Sequence, residues 1–150
     1  MPFIDSICVS PERGPKKIVQ HVSVRTDFGI EGDAHAKEGS ERQVSFLSRE
    51  LIETVRKDGL AVEYGAFGEN FITSGIDIAT LSVGDDIIFE SGLHVKITII
   101  GKHCPAPCII FKTLGRCIMP EFGIFAQVLT GGIVKPGHSF RVERNGAILA

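Results

Sequence analysis

The order of hydrophobic and polar positions along the chain predicts short β-strands separated by glycine-rich turns. Apolar and β-branched residues alternate with polar ones, or form short runs, between clusters of Gly, Pro, Asp and Ser. Ser91-Gly92 predicts a tight hairpin, and residues 135–137 predict a second turn. This pattern is typical of a mainly β fold, either a barrel or a strongly bent sheet. The predicted strands cover residues 4–9, 18–24, 44–47, 69–73, 86–90, 93–100 and 140–144.

One segment has helical periodicity instead. We predict a packing helix over Arg49–Lys57, because its apolar residues form one stripe, Ser48 can cap its first turn and Gly59 follows its end. A second helical turn is predicted for residues 109–113, and residues 122–129 fit a helix or a strand. The sequence has no repeat or linker. We therefore predict that all 150 residues form one β-rich α+β domain with one or two short helices.

Composition and charge narrow the possible functions. A chain of 150 residues can form a hydrophobic core without a metal or a disulfide to hold it together. With 16 basic and 18 acidic residues, the net charge is −2, which excludes the broad positive field of a nucleic-acid or membrane-surface binder. The sequence has no signal-peptide pattern and no apolar run near the ~18 residues of a membrane helix. We expect a cytoplasmic protein whose cysteines are free thiols.

Three of the four cysteines fall in the stretch GKHCPAPCIIFKTLGRC, residues 101–117. Cys104 follows a predicted strand and comes directly after Lys102 and His103, in a loop stiffened by two prolines. Neighbouring cations favour the thiolate, which is the nucleophilic and metal-binding form of cysteine. We predict that Cys104 is a reactive thiol.

Other interpretations of the cysteines remain open. Cysteine also behaves as a small apolar residue, and we predict that role for Cys8 in the first strand. Three thiols and one histidine can also bind zinc, although the spacing lacks the paired C-x2-C of most structural zinc sites. The candidate zinc ligands are Cys104, Cys108, Cys117 and one of His94, His103 or His138.

A second polar region, GIEGDAHAKEGSERQVSFL, covers residues 29–47. Asp33 and His35 would project from the same face if this segment were extended, and an aspartate can orient an imidazole for acid–base chemistry or ligation. Arg42 and Gln43 offer a guanidinium and an amide that suit a phosphate or a carboxylate. The alternatives are that Asp33 and His35 satisfy backbone groups of the loop, and that Arg42 forms a surface salt bridge.

A third region, YGAFGENFITSGIDIATLSVGD, covers residues 64–85. Gly65 and Gly68 allow another backbone segment to approach closely. Glu69 and Asn70 place a carboxylate and an amide at the start of a predicted strand. We therefore include Glu69 and Asn70 among the candidate binding residues.

Six segments together resemble the MOSC domain, named for the carboxyl-terminal domain of molybdenum cofactor sulfurases. They are GIEGDAHA, RQVSFL, FGENFITSGID, LSVGD, the GKHC turn and FGIFAQVLTGG, in this order. The resemblance covers about residues 18–142, so it is more specific than any single motif. The run from Cys108 through GRCIMPEFGIF is similar to small, stand-alone bacterial members of the family.

The resemblance implies a MOSC-type β-barrel that binds molybdenum cofactor or its sulfur. Cys104 matches the family's cysteine, as a persulfide carrier or molybdenum ligand, and Asp33 and His35 match its acidic and histidine turn. These three are the predicted catalytic residues. The predicted cofactor-binding residues are Arg42, Gln43, Glu69, Asn70, Lys102 and His103, and the further metal candidates are Cys108 and Cys117.

The implied function is cofactor sulfuration or biosynthesis, with molybdopterin as the cofactor and the proteins of those processes as partners. No pyridoxal phosphate is expected in this chain, because it lacks the aminotransferase-like part of full sulfurases. One alternative is a molybdenum-dependent reductase of N-hydroxylated substrates, in which Cys104 ligates the metal and a redox partner supplies electrons. Another is a non-catalytic metal-binding module built on the three clustered cysteines.

Overall fold

The structure, a computed structural model, describes residues 1–101 and 122–150. In these residues the chain forms one α-helix, α1 (Arg49–Lys57), one short 3-10 turn (Ile78–Thr80) and twelve strands. The strands are β1 Phe3–Val9, β2 Lys17–Val19, β3 Val22–Arg25, β4 Gly29–Ile30, β5 Val44–Ser48, β6 Phe71–Ser74, β7 Asp86–Phe89, β8 His94–Ile100, β9 Ile124–Thr130, β10 Gly132–Val134, β11 Phe140–Arg144 and β12 Ala147–Ile148.

The described strands form two sheets. The larger has nine strands in the order β12-β11-β7-β8-β9-β5-β6-β1-β2, and the smaller has three in the order β10-β3-β4. Strands β5 and β6 are parallel and are joined through α1, whereas the neighbouring pairs β5–β9 and β8–β9 are antiparallel. The predicted mainly β class is confirmed. Among the described residues neither sheet closes on itself, so the predicted barrel is not confirmed.

The predicted helix is confirmed at both ends. The N–H of Leu51 donates to Ser48 Oγ at 3.2 Å, which caps the first turn. Past the last turn the chain reverses at Gly59, whose φ of +98° is accessible to glycine. Ile52 and Val55 are fully buried against β5 and β6, so α1 is a packing helix.

The structure corrects one predicted segment and decides between the two conformations predicted for another. Residues 18–24 do not form one strand: the chain leaves the large sheet after β2 and enters the small sheet at β3, with Gln20 and His21 between them. Residues 122–129, which fit a helix or a strand, contribute to strand β9. This strand pairs with β8 on one side and β5 on the other, and those two ladders favour the extended form.

The interior contains two hydrophobic clusters. The larger is built around a chain of four tilted phenylalanine rings, Phe46, Phe71, Phe89 and Phe140, with successive ring centroids 5.1, 5.6 and 5.7 Å apart. The smaller lies between α1 and the large sheet, and includes Cys8, Leu47, Ile52, Val55, Phe67 and Phe125. The candidate site borders this smaller cluster.

Strands β8 and β9 bring together the end of the first described range, at residue 101, and the start of the second, at residue 122. Their ladder continues to the pair Ile100 and Ile124, and the N–H of Gly101 donates to the carbonyl of Gly123 at 2.7 Å. The predicted helical turn at residues 109–113 lies outside the described residues. Within residues 1–101 and 122–150, no helix is long and apolar enough to cross a membrane.

Candidate functional site

A buried ion pair between Lys16 and Asp33 forms the base of the candidate site. Lys16 Nζ lies 2.8 Å from Oδ1 and 2.7 Å from Oδ2 of Asp33, and both side chains are almost fully buried. Asp33 also accepts the backbone N–H of Ser10 at 3.1 Å and that of His35 at 3.0 Å. Burial raises the pKa of Asp33, but the charge and hydrogen bonds of Lys16 and the two backbone donors outweigh it and hold the pKa below its ordinary value.

His35 joins this pair through Lys16. Lys16 Nζ is 2.8 Å from His35 Nδ1, whereas the nearer oxygen of Asp33 is 3.6 Å from that nitrogen, beyond hydrogen-bond distance. The segment is not extended, so the condition under which Asp33 and His35 would share a face is not met: the N–H of Ala36 donates to the carbonyl of Asp33, and the residues form a tight turn. Asp33 is buried by this turn and His35 is partly exposed, so the aspartate acts on the imidazole through the lysine.

Lys16 is a site residue that the sequence patterns did not reveal. It is 17 residues from Asp33 in the chain, and no local spacing links the two. Gly65 allows the contact, because a Cβ there would lie 2.1 Å from the carbonyl oxygen of Lys16, and its own carbonyl accepts the Lys16 N–H at 2.8 Å. The close backbone approach allowed at Gly65 is confirmed, but the glycine pattern does not name the approaching segment, which the structure identifies as Lys16.

Phe125, at the start of β9, links His35 to Arg42. The His35 ring meets the Phe125 ring edge-on with centroids 5.9 Å apart, and Cζ of Arg42 lies 5.6 Å from the same ring centroid. The cation–π contact holds the exposed guanidinium of Arg42 against the ring that the imidazole also contacts. His35 and Arg42 thus place two groups that can donate hydrogen bonds to an anion at one phenylalanine ring.

Gln43 and Asn70 are fully buried and bond mainly to the scaffold. Gln43 accepts the N–H of Val128 at 2.9 Å and donates to Asp27 Oδ1 and to a loop carbonyl. Asn70 accepts the N–H of Ser45 at 3.0 Å and donates to the carbonyl of Cys8 at 3.1 Å. These bonds tie β5 to its neighbours and support the position of Arg42, the residue before Gln43.

Glu69 is a buried carboxyl with an incomplete set of partners. Its Oε1 accepts the N–H of Phe67 at 3.0 Å, while Oε2 has no hydrogen-bond partner among the described residues. Burial raises the pKa of Glu69, while hydrogen bonds from backbone N–H groups and, to a smaller extent, the charge of Lys16 oppose the shift. Cys8 beside it is fully buried, as predicted, and burial together with Glu69 raises its pKa to about 12.

The predicted thiol region lies outside the described residues. It comprises Lys102, His103, Cys104, Cys108 and Cys117. Gly101, three residues before Cys104 in the sequence, directly follows β8, the strand that pairs with β9 and its Phe125. Of the histidines considered for zinc, His94 contacts Asp86 at 3.0 Å, and His138 lies 3.4 Å from the Lys135 N–H. In the two described ranges no three His, Cys, Asp or Glu side chains form a metal-binding group.

Comparison with known proteins identifies the family. Residues 32–146 match the family described as the MOSC domain, over most of the chain. The chain belongs to the MOSC domain family. This family is associated with molybdenum cofactor binding and sulfuration. No curated protein matches the chain significantly. Lys16 lies before the matched residues.

Solved structures show the same fold at low sequence identity. The YUAD protein from Bacillus subtilis is 20% identical, with a TM-score of 0.74 over 93% of this chain and 94% of that one. YiiM from Geobacillus stearothermophilus is 20% identical, with a TM-score of 0.71 over 97% and 77%. YiiM from Escherichia coli is 19% identical, with a TM-score of 0.65 over 97% and 71%. These likenesses establish the fold of the MOSC chain. At this identity they do not establish its chemistry, which depends on its own residues.

Proposed function

We propose that this MOSC domain binds molybdenum cofactor or a related phosphate-bearing pterin, with Cys104 as persulfide carrier or molybdenum ligand. The observation that carries the proposal is the arrangement around Phe125. The exposed guanidinium of Arg42 and the partly exposed imidazole of His35 contact one ring, on the strand beside the one that leads to Cys104.

The residues present suit this type of ligand. Molybdenum cofactor carries a phosphate, and the guanidinium of Arg42 can donate a pair of charge-assisted hydrogen bonds to it. Because the net charge of the protein is −2, the attraction of the phosphate has to come from positive groups in the site itself. Phe125 and the Lys16–Asp33 pair hold Arg42 and His35 in place beneath the ligand. Oε2 of Glu69, which has no hydrogen-bond partner in residues 1–101 and 122–150, adds a buried polar group whose charge interacts with that of Lys16.

Cys104 supplies the sulfur chemistry in this proposal. Lys102 and His103 favour its thiolate, and a thiolate is both the sulfur nucleophile and a soft metal ligand. When bound, the cofactor supplies the molybdenum and its redox chemistry; the chain's own residues bind and orient it. Gln43 and Asn70 act from the scaffold, by holding β5 beneath the site. We place the protein in the cytoplasm, with cofactor biosynthesis or sulfuration proteins as partners.

Two further functions are distinguished by what the purified protein contains. A reductase of N-hydroxylated substrates would retain molybdenum on Cys104 and accept electrons from a redox partner. A metal-binding module would instead hold zinc through Cys104, Cys108 and Cys117, and its stability would depend on that metal.

The test is metal and pterin analysis of the protein purified from a host that makes molybdenum cofactor. We expect pterin in the wild type and a loss of affinity of about 1–3 kcal/mol in Arg42→Ala, the range for a charge-assisted hydrogen bond. Arg141→Ala is the matched control, because Arg141 is an exposed arginine paired with Glu143 on β11, three strands from β9 in the sheet order. Stoichiometric zinc without pterin, or equal affinity in both variants, would contradict the proposal.

A further inference from the structure

We propose that Lys16 is a positioning residue that fixes His35 in the tautomer with its proton on Nε2. His35 then presents an N–H donor to the ligand, and not a metal-binding lone pair. The tautomer is a property of the ligand-free chain, whereas the use of its N–H by a ligand rests on the proposed function.

The first step is the count of hydrogen-bond donors on Lys16. A lysine ammonium has three N–H donors and no acceptor. Lys16 Nζ has three atoms within 2.8 Å that are able to accept a hydrogen bond, namely the two carboxylate oxygens of Asp33 and, when it carries no proton, Nδ1 of His35. The geometry therefore matches a charged Lys16 that uses every donor.

The charge on Lys16 follows from its partner. Burial lowers the pKa of Lys16, and the charge and hydrogen bonds of Asp33 oppose this shift. A neutral amine would leave the ionised Asp33 as an uncompensated buried charge, which is strongly unfavourable. The ion pair thus keeps the proton on Lys16.

The tautomer of His35 follows in turn. A proton on Nδ1 would place an N–H donor 2.8 Å from the ammonium donor of Lys16, with no acceptor between them. Asp33 cannot relieve this conflict, because its nearer oxygen is 3.6 Å from Nδ1 and already accepts from Lys16. Nδ1 must accept, so the neutral ring carries its proton on Nε2.

The tautomer sets the class of group that His35 can contact. An Nε2–H donates to an oxygen, sulfur or nitrogen acceptor, and the guanidinium of Arg42 at the same phenylalanine ring favours a negatively charged one. Both ring nitrogens are then unsuited to ligate a metal. Within the proposed function, His35 binds the phosphate or another acceptor atom of the cofactor.

The tautomer can be read by nitrogen NMR of ligand-free protein with labelled histidine. The His35 signals are assigned as those lost in His35→Gln. We expect a non-protonated Nδ1 and a protonated Nε2 in the wild type, and signals averaged toward a tautomer mixture in Lys16→Met. Lys17→Met is the matched control, because Lys17 is the next residue and is exposed, and its spectrum should equal that of the wild type.

If Lys16→Met fails to fold, the double variant Lys16→Met, Asp33→Asn removes both buried charges together and takes its place. The wild-type spectrum tests the inference in any case. A proton on Nδ1, a mixture of tautomers in the wild type, or an unchanged tautomer without Lys16 would overturn it.

A binding measurement tests the ligand role separately. The amide nitrogen of glutamine can replace Nε2–H as a donor, so His35→Gln should bind the phosphate-bearing pterin within about threefold of the wild type. His35→Leu should bind it at least tenfold more weakly, about 1.4 kcal/mol. Equal affinity in both variants overturns the ligand role while the NMR result stands, which separates the two failures.

Discussion

Replacing Asn70 with alanine tests whether this residue acts through the scaffold. The Asn70 side chain is fully buried, and it satisfies the N–H of Ser45 at 3.0 Å and the carbonyl of Cys8 at 3.1 Å. Asn70→Ala would leave both backbone groups without these partners. An unsatisfied buried polar group costs about 1–3 kcal/mol, so the expected loss of unfolding free energy is about 2–6 kcal/mol.

The assay is urea unfolding followed by circular dichroism. With a slope of about 2 kcal/mol per molar urea, a loss of about 4 kcal/mol shifts the midpoint by about 2 M. Gln20→Ala is the control, because it removes an exposed amide and should change stability by less than about 0.5 kcal/mol. An Asn70→Ala midpoint equal to that of the control would refute the scaffold role. Weaker pterin binding at unchanged stability would instead support direct contact with the cofactor.

Three other results are expected. At neutral pH, an alkylating agent should label Cys104 well before Cys8, whose burial raises its pKa to about 12; equal labelling would contradict an activated thiol. Because burial raises the pKa of Glu69, its contribution to stability should be complete below the unfolded pKa of about 4.3 and should be lost as pH rises through the folded value. Glu69→Gln, but not the exposed Glu63→Gln, should remove this component from thermal-melt profiles measured against pH; a profile unchanged in Glu69→Gln would contradict it. Gly65→Ala should lower the melting temperature, because its Cβ would clash with Lys16 at a φ of +93°; an unchanged value would contradict that contact.

Much of the local structure could be predicted from the sequence, because its causes are local. Ser48 and Gly59 mark the ends of α1 through a side-chain cap and a positive φ, and both depend on residues within one turn. The hairpin at Ser91-Gly92 forms where predicted, with Gly92 at a φ of +96°. Residues 18–24 belong to two strands and not to the predicted one, because their alternation is compatible with extended backbone in either sheet and nothing local marks the change of sheet.

For the candidate site too, some features could be predicted from the sequence and others depend on the tertiary structure. The sequence by itself determined the family and brought attention to Asp33, His35 and Arg42, because their residue types and ordered motifs carry that information. Only the tertiary structure decided that Lys16 lies between Asp33 and His35, and that Asn70 bonds to the scaffold. These contacts join residues from 17 to 62 positions apart, and they form only when sheet pairing and the close approach at glycine bring separate segments together. The hydrophobic periodicity of the sequence indicates which residues are buried, whereas the hydrogen-bond partners of a buried polar group depend on which strands become neighbours in the fold.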